Sequence, residues 1–283
     1  MPERARLPEW LKRPAPDPAA LVRMKRLVDG LQLHTVCESA NCPNQGECFS
    51  QGTATFMILG DICTRNCTFC AVESGRPKPL DASEPEHLVE AVKRLGLKHV
   101  VITSVTRDDL DDGGAAQFAE CIEAIRDYDP SVTVEVLIPD LQGSLPALKI
   151  VLDSSPTILN HNVETVPRLY LEVRPQADYE RSIELLGRVK VEEPAILTKS
   201  GLMVGLGETH QEVIEVMQDL READCDFLTI GQYLQPSRQH HQVIRFIPPA
   251  EFDEYRRIGE GMSFRSVASA PFVRSSFHAA EML

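Results

Sequence analysis

Apolar positions along the chain switch between two periods. TATFMILG (53–60) is an apolar run fit for a buried strand, EPEHLVEAVKRLG (84–96) spaces its apolar residues as a helix does, and KHVVITSV (98–105) is rich in β-branched residues. The same rhythm predicts a helix in AAQFAECIEAIRDY (115–128), a strand in SVTVEVLIPD (131–140), a helix in LPALKIVLD (145–153) and a strand in PTILNHNVE (156–164). It goes on through a helix in DYERSIELLGRVKVE (178–192), a strand in AILTKSGLMVG (195–205), a helix in ETHQEVIEVMQDLREA (208–223) and a strand in DFLTIGQYL (226–234). Strict strand–helix alternation predicts a parallel sheet with right-handed crossovers, closed or partly closed as a barrel with its helices outside. A doubly wound open sheet is the competing arrangement. Upstream, PAALVRMKRLVDGL (18–31) predicts a short helix, and the segment to about residue 52 reads as a loop of Cys, Pro, Asn and Gly. The expected fold is therefore α/β: a partial (β/α)6 barrel of the TIM type over 53–247, an N-terminal extension over 1–52 and a C-terminal extension over 248–283.

Composition narrows the function. With 43% apolar and 25% charged residues, the 283-residue chain has the make-up of a globular protein. No apolar run approaches the roughly 20 residues that span a bilayer, so no membrane partner is expected. A formal charge of -13 argues against general affinity for nucleic acid or anionic lipid. The arm MPERARLPEWLKRPAPDPAA mixes its Arg and Lys with Glu3, Glu9, Asp17 and several prolines, and lacks the features of a secretory or transit segment, so the cytoplasm is expected. In that reducing compartment, clustered cysteines bind metal or do chemistry rather than pair as disulfides.

Residues 37–70 carry six of the eight cysteines, in two triplets: Cys37, Cys42 and Cys48, then Cys63, Cys67 and Cys70. Thiolates are soft ligands that favour iron–sulfur clusters, zinc and Cu(I). Structural zinc usually takes four ligands in C-x2-C pairs, which neither triplet offers, though six thiols shared differently leave zinc open. Burial as plain core cysteines is disfavoured by neighbours rich in Asn, Pro, Gly and Glu. Three thiolates hold three irons of a cube and leave the fourth free for a small molecule, which points to a catalytic cluster. The second triplet follows the first barrel strand, on the face where parallel α/β folds build their sites. Cys121 shares a predicted helix face with Phe118, Ile122 and Ile125 and reads as core, and Cys225 reads as structural. The histidines are scattered without ligand spacing and read as surface or satisfied core residues.

The run from Cys63 to Cys70, CTRNCTFC, resembles the signature of radical S-adenosylmethionine (SAM) enzymes. CESANCPNQGEC resembles the auxiliary-cluster motif of the lipoyl synthase family, and Arg274, Ser275, Ser276 and Phe277 resemble its closing R-S-S-aromatic motif; the three occur in the family's order. The resemblance implies two 4Fe-4S clusters, with Cys63, Cys67 and Cys70 as catalytic ligands of a cluster whose open iron chelates SAM. It implies radical hydrogen abstraction at carbons 6 and 8 of a protein-bound octanoyl-lysine and insertion of two sulfurs from a sacrificial auxiliary cluster on Cys37, Cys42 and Cys48, with two SAM consumed per lipoyl group. It nominates Ser276 as fourth ligand of that cluster, a hard oxygen ligand easier to lose than a thiolate. From composition alone the same tail reads as frayed.

GLMVGLGE (201–208) resembles the G-x-I-x-G-x-x-E segment of radical SAM barrels, making Gly205 a candidate wall of the adenosine pocket. Asn162, Glu164 and Arg174 are candidates to bind the ribose hydroxyls and methionyl carboxylate, a solvated ion pair being the alternative. TSVTRDDLDDGG (103–114), with Arg107, is expected beside the SAM amino group. The implied partners are an octanoylated lipoyl carrier domain, an electron donor such as flavodoxin or ferredoxin, and a cluster-repair protein. A biotin-synthase-like sulfur inserter and a non-enzymatic metal-binding module are the competing functions.

Overall fold

In the computed structural model residues 7–283 are described; residues 1–6, which include Glu3, lie outside the described residues. Helix α1 (Pro18–Gly30) starts at Asp17, whose side chain accepts a bond from the Ala19 N–H at 2.9 Å, with proline at the first helical position where its missing N–H costs nothing. The segment that composition reads as a loop holds three short elements: β1 (His34–Thr35), α2 (Val36–Ser39) and α3 (Gln45–Ser50). Each is too short for hydrophobic periodicity to reveal it. The Thr35 hydroxyl caps α2 by accepting from the Glu38 N–H at 3.3 Å.

From there the alternation holds. The elements are β2 (Thr55–Ile58), β3 (Ile62–Cys63), β4 (Glu73–Ser74), α4 (Glu84–Leu95), β5 (His99–Ser104), α5 (Ala115–Tyr128), β6 (Thr133–Leu137), α6 (Leu145–Asp153) and β7 (Ile158–Asn160). They continue with α7 (Tyr170–Val173), α8 (Tyr179–Glu192), β8 (Leu197–Val204), α9 (His210–Glu222), β9 (Phe227–Gln232), α10 (Pro249–Gly261) and β10 (Ser266–Ser269). Strand order in the main sheet is β1-β2-β5-β6-β7-β8-β9-β10, every pairing parallel except that of β1 with β2. Order in space follows order in the chain. A doubly wound sheet would reverse direction once, so the alternation resolves to a barrel wound one way and left open between β1 and β10. Beyond residue 247, α10 and β10 add a further parallel strand, with Ser266 paired to Phe227, so the barrel rhythm runs on into the C-terminal segment.

Side chains of successive strand residues point to opposite faces, and the two faces differ sharply. Val100, Ile102, Val134 and Val136 pack outward with Leu88, Phe118 and Ile122. Leu202, Val204, Leu228 and Ile230 do so with Val213, Val216, Met217 and Phe252. Each such fully buried side chain contributes about 1.5–3 kcal/mol, which fixes the helices against the sheet. The alternate residues His99, Val101, Thr103, Leu137, Gly201, Met203, Thr229 and Gly231 line a cavity of about 630 Å³ inside the curve. Toward the N-terminal ends of the strands, Lys199 and Glu135 pair at 3.0 Å, both with no exposed side-chain surface, and Asn160 Nδ2 donates to Glu135 Oε1 at 3.2 Å. Cys121 is buried on α5 and Cys225 is buried with its Sγ 3.4 Å from the Phe227 carbonyl, as their neighbours predicted.

Candidate functional site

β2 ends on two left-handed residues, Leu59 and Gly60, which turn the chain across the strand ends into a loop closed by the β3–β4 pair. Cys63, Cys67 and Cys70 sit on this loop. Its shape is held from several sides: the Thr64 N–H donates to the Thr106 carbonyl at 3.0 Å, the Asn66 N–H to Gln176 Oε1 at 2.9 Å, and the Thr68 N–H to the Val173 carbonyl at 3.0 Å. The Thr68 carbonyl accepts from the His241 N–H at 2.8 Å, and the Cys70 carbonyl lies 3.0 Å from His240 Nε2. Cys63 Sγ already accepts from two backbone amides, those of Arg65 at 3.4 Å and Thr106 at 3.3 Å. Arg65, a mere spacer in the motif, is 6% exposed and spends its guanidinium on four bonds, at 2.7 and 2.9 Å to Asp108 and 3.0 and 2.7 Å to Asp140. Burial alone would raise the Asp140 carboxyl, but these bonds hold it down at about 2.

The first triplet is set by short helices. Cys37 lies on α2, Cys48 on α3, and between them the Cys42 N–H donates to the Cys37 carbonyl at 3.0 Å. Cys37 is buried in the core cluster, contrary to the expectation from its polar neighbours, because α2, which carries it, packs on β1 and β2. That tail is not frayed. Asn44 Nδ2 donates to the Phe272 carbonyl at 2.7 Å, the Arg13 guanidinium lies 4.0 Å over the Phe272 ring, and His278 Nε2 is 3.3 Å from Glu47. The tail threads past two strand glycines: a Cβ on Gly231 would fall 2.0 Å from the Val273 carbonyl oxygen, and one on Gly201 would fall 3.1 Å from Ser275 Oγ. Thr55 Oγ1 then donates to Ser276 Oγ at 2.7 Å, and Thr55, Ser276 and Cys37 line the same cavity.

Asn162, Glu164 and Arg174 join the same cavity, which all six clustered cysteines, Ser275 and Ser276 also line. Asn162 Nδ2 donates to Glu164 Oε1 at 3.0 Å, and Glu164 takes a left-handed backbone (φ 64°) bridged to β8. Arg174 Nη1 donates to the Asn162 and Val163 carbonyls at 3.0 and 3.2 Å, and its buried Nε has no partner. This is no solvated ion pair: burial pushes the Glu164 carboxyl up, against the pull of Arg174 and Asn162. Gly205 is absent from the cavity wall; its φ of 101° serves the turn, and the space beside it is filled by Gln232 Nε2 and the Arg245 carbonyl. Arg107 also turns away, donating to Asp109 at 2.8 Å and to the Leu59 carbonyl at 3.2 Å, while Ser104, Val105 and Thr106 of its segment face the cavity.

Two histidines depart from the surface-or-satisfied expectation. His161 is 1% exposed and lines the cavity, with Nδ1 2.9 Å from the Ile138 carbonyl and Nε2 unpartnered. Burial holds its pKa down at about 4, so it is neutral and presents Nε2 as an acceptor. His99 lines the deep end with Nε2 3.5 Å from Glu135 Oε2 and Nδ1 without a partner. No spacing rule finds either, because His99 is brought to the cavity by its place on β5 and His161 by its place just after β7.

Burial raises the thiols of Cys37 and Cys70 to about 12 and that of Cys48 to about 11, and pushes Cys67 up as well. A group that keeps them as thiolates must therefore bring positive charge, as cluster iron does. Among the described residues no three His, Cys, Asp or Glu side chains converge as a single metal ion requires. Six soft thiols in two triplets, each short of the four donors that structural zinc takes, fit an iron–sulfur cluster at each.

Residues 57–220 match the radical SAM superfamily, and residues 1–42 match the N-terminal domain of lipoyl synthase of that family. A lipoyl synthase of Caldanaerobacter subterraneus subsp. tengcongensis is 58% identical over 274 residues, covering 97% of this chain and 96% of its own. That of Nitrosococcus oceani is 56% identical over 278 residues, covering 98% and 86%. Among solved structures, Streptococcus suis SuiB bound to S-adenosylmethionine matches with a TM-score of 0.55 at 13% identity over 87% of this chain and 57% of its own. TYW1 with a lysine-pyruvate adduct matches at 0.53 and 16% identity over 85% and 81%. At such identities the likeness speaks for the barrel alone.

Proposed function

This chain belongs to the lipoyl synthase family of radical SAM enzymes, and from that premise we propose how its residues divide the work. Cys63, Cys67 and Cys70 hold the SAM-cleaving 4Fe-4S cluster; Cys37, Cys42, Cys48 and Ser276 hold the auxiliary one. When bound, the first cluster supplies the electron that cleaves SAM into a hydrogen-abstracting adenosyl radical, and the second supplies the two sulfur atoms of the lipoyl group. The chain's own residues position the reactants. Glu164 and Asn162 accept the ribose hydroxyls, Arg174 offers its free Nε to the methionyl carboxylate, and His161 Nε2 accepts one further N–H or O–H of SAM. The apolar wall of Met57, Val101, Leu137 and Met203 receives the octanoyl chain and keeps water from the radical. The lysine to which that chain is attached belongs to a lipoyl carrier domain. A one-electron donor such as flavodoxin or ferredoxin, and a repair protein for the auxiliary cluster, complete the proposed partners.

The observation that supports this assignment is the meeting of both triplets and Ser276 on one cavity. Anaerobically reconstituted protein should hold about eight iron and eight sulfide. Replacing Cys37, Cys42 and Cys48 by Ala should remove about half of each and abolish thiolation of an octanoyl-lysyl peptide, while SAM cleavage survives. Replacing Cys63, Cys67 and Cys70 should abolish cleavage itself. Loss of cleavage in the first triple variant, or stoichiometric zinc without sulfide in the wild type, would refute the assignment.

A further inference from the structure

Ser275 is not accounted for by either cluster. Its hydroxyl donates to Asn162 Oδ1 at 2.9 Å, and the amide of the same Asn162 donates to Glu164. The next residue, Ser276, is held by Thr55, and both line the cavity together with Cys37. One unbroken chain of bonded groups therefore runs from Glu164 through Asn162 and Ser275 to Ser276 and Thr55. It exists because Gly201 leaves room for it: a Cβ there would sit 3.0 Å from Asn162 Oδ1 and 3.1 Å from Ser275 Oγ. Outside this stretch the tail is anchored separately at Phe272 and His278, so the part free to respond is the short span between them.

We propose that Ser275 couples the two sites, with occupation of the nucleoside site releasing the tail: a ribose hydroxyl donating to Asn162 Oδ1 displaces the Ser275 hydroxyl and loosens Ser276 from its seat on Thr55. Asn162 turns its amide nitrogen to Glu164 and its Oδ1 to Ser275, with Gly201 close beside both, so a ribose hydroxyl that donates to Asn162 Oδ1 competes for the acceptor that Ser275 uses. The coupling makes the oxygen ligand labile when SAM is present and keeps it seated when SAM is absent. Ser275 is a positioning residue acting through Ser276. This inference rests on the reading that Asn162 and Glu164 receive the ribose and that Ser276 closes the auxiliary site.

Hydrogen exchange on the anaerobically reconstituted full chain, with and without SAM and with no reductant, tests it. The reporter is the Phe277 amide, which is bonded to the Arg274 carbonyl at 3.0 Å. In the wild type, SAM should raise its exchange rate several-fold. Ser275→Ala should exchange at the raised rate without SAM and respond no further, and Ser275→Thr, which keeps the hydroxyl, should restore the response. SAM affinity of Asn162→Ala is measured in parallel. If that affinity falls but wild-type exchange is unchanged or slowed by SAM, the coupling is overturned and the ribose reading stands. If Asn162→Ala binds SAM as the wild type does, the ribose reading falls and the coupling with it.

Discussion

Arg65 shows how much a single residue inside a motif decides. Between Cys63 and Cys67 the sequence offers only a three-residue spacer, and nothing in the spacing distinguishes Thr64, Arg65 and Asn66. In the fold Arg65 ties the loop of the second triplet to the loops after β5 and β6 through two bidentate forks. A lysine keeps the charge but has one nitrogen to offer four carboxylate oxygens. Arg65→Lys should therefore lower iron retention at the second triplet by at least about tenfold, as losses behind metal ligands do, measured by chelator competition. Asp140 gives the same clamp a pH signature. Its carboxyl ionises near 2 in the folded chain against 3.8 ordinarily, so between those values the unfolded chain binds more protons than the folded one. The contribution is complete above the ordinary value, worth about 2 kcal/mol from the size of the shift, and is lost as pH falls through about 2. Urea unfolding should find Asp140→Asn less stable than wild type at pH 6, and the gap should close progressively below about pH 4.

At the scale of elements, legibility followed length. Helices of twelve or more residues such as α4, α5 and α8 announce themselves by period. The two to six residues of β1, α2 and α3, the last two of which carry Cys37 and Cys48, cannot. β10 was hidden for another reason: Ser266, Val267, Ala268 and Ser269 lack the β-branched run that marks a strand, and only pairing with β9 makes them one. The tail is the sharpest case. Its composition reads as frayed, yet it is seated by side chains more than two hundred residues away and by the absence of a side chain at Gly231. Gly231→Ala puts a methyl group 2.0 Å from the Val273 carbonyl oxygen, which backbone cannot yield without leaving the strand. The expected outcome is a barrel that still folds, with near-normal SAM cleavage, faster amide exchange over residues 273–278 and loss of thiolated product. A normal product yield would show that the tail tolerates displacement.

For the molecule as a whole, the alternation of strand and helix predicted a parallel α/β fold with a partial barrel, and left a doubly wound sheet as its competitor. That choice depends on spatial order, which in this chain is monotonic from β1 to β10. What the curve encloses was also beyond a residue-by-residue reading, because Glu135 and Lys199 stand 64 positions apart and each looks like an ordinary charged residue in its strand. Brought together, they form an ion pair with no access to solvent on the inner face. Burial raises the Glu135 carboxyl, and Lys199 with His99 more than reverses this, so the carboxyl is held down. Two charges taken from water are costly, and their attraction offsets that cost only while both are present. Lys199→Met should thus destabilise the chain by about 3–5 kcal/mol, leaving a carboxylate shut in the barrel. Adding Glu135→Leu should recover most of that loss, since a well-packed apolar pair is often neutral against a buried ion pair. Chemical denaturation of the two single variants and the double variant closes the cycle. If the double variant were as unstable as the sum of the singles, the pair would be acting separately on other groups, with His99 and Asn160 the ones that face Glu135.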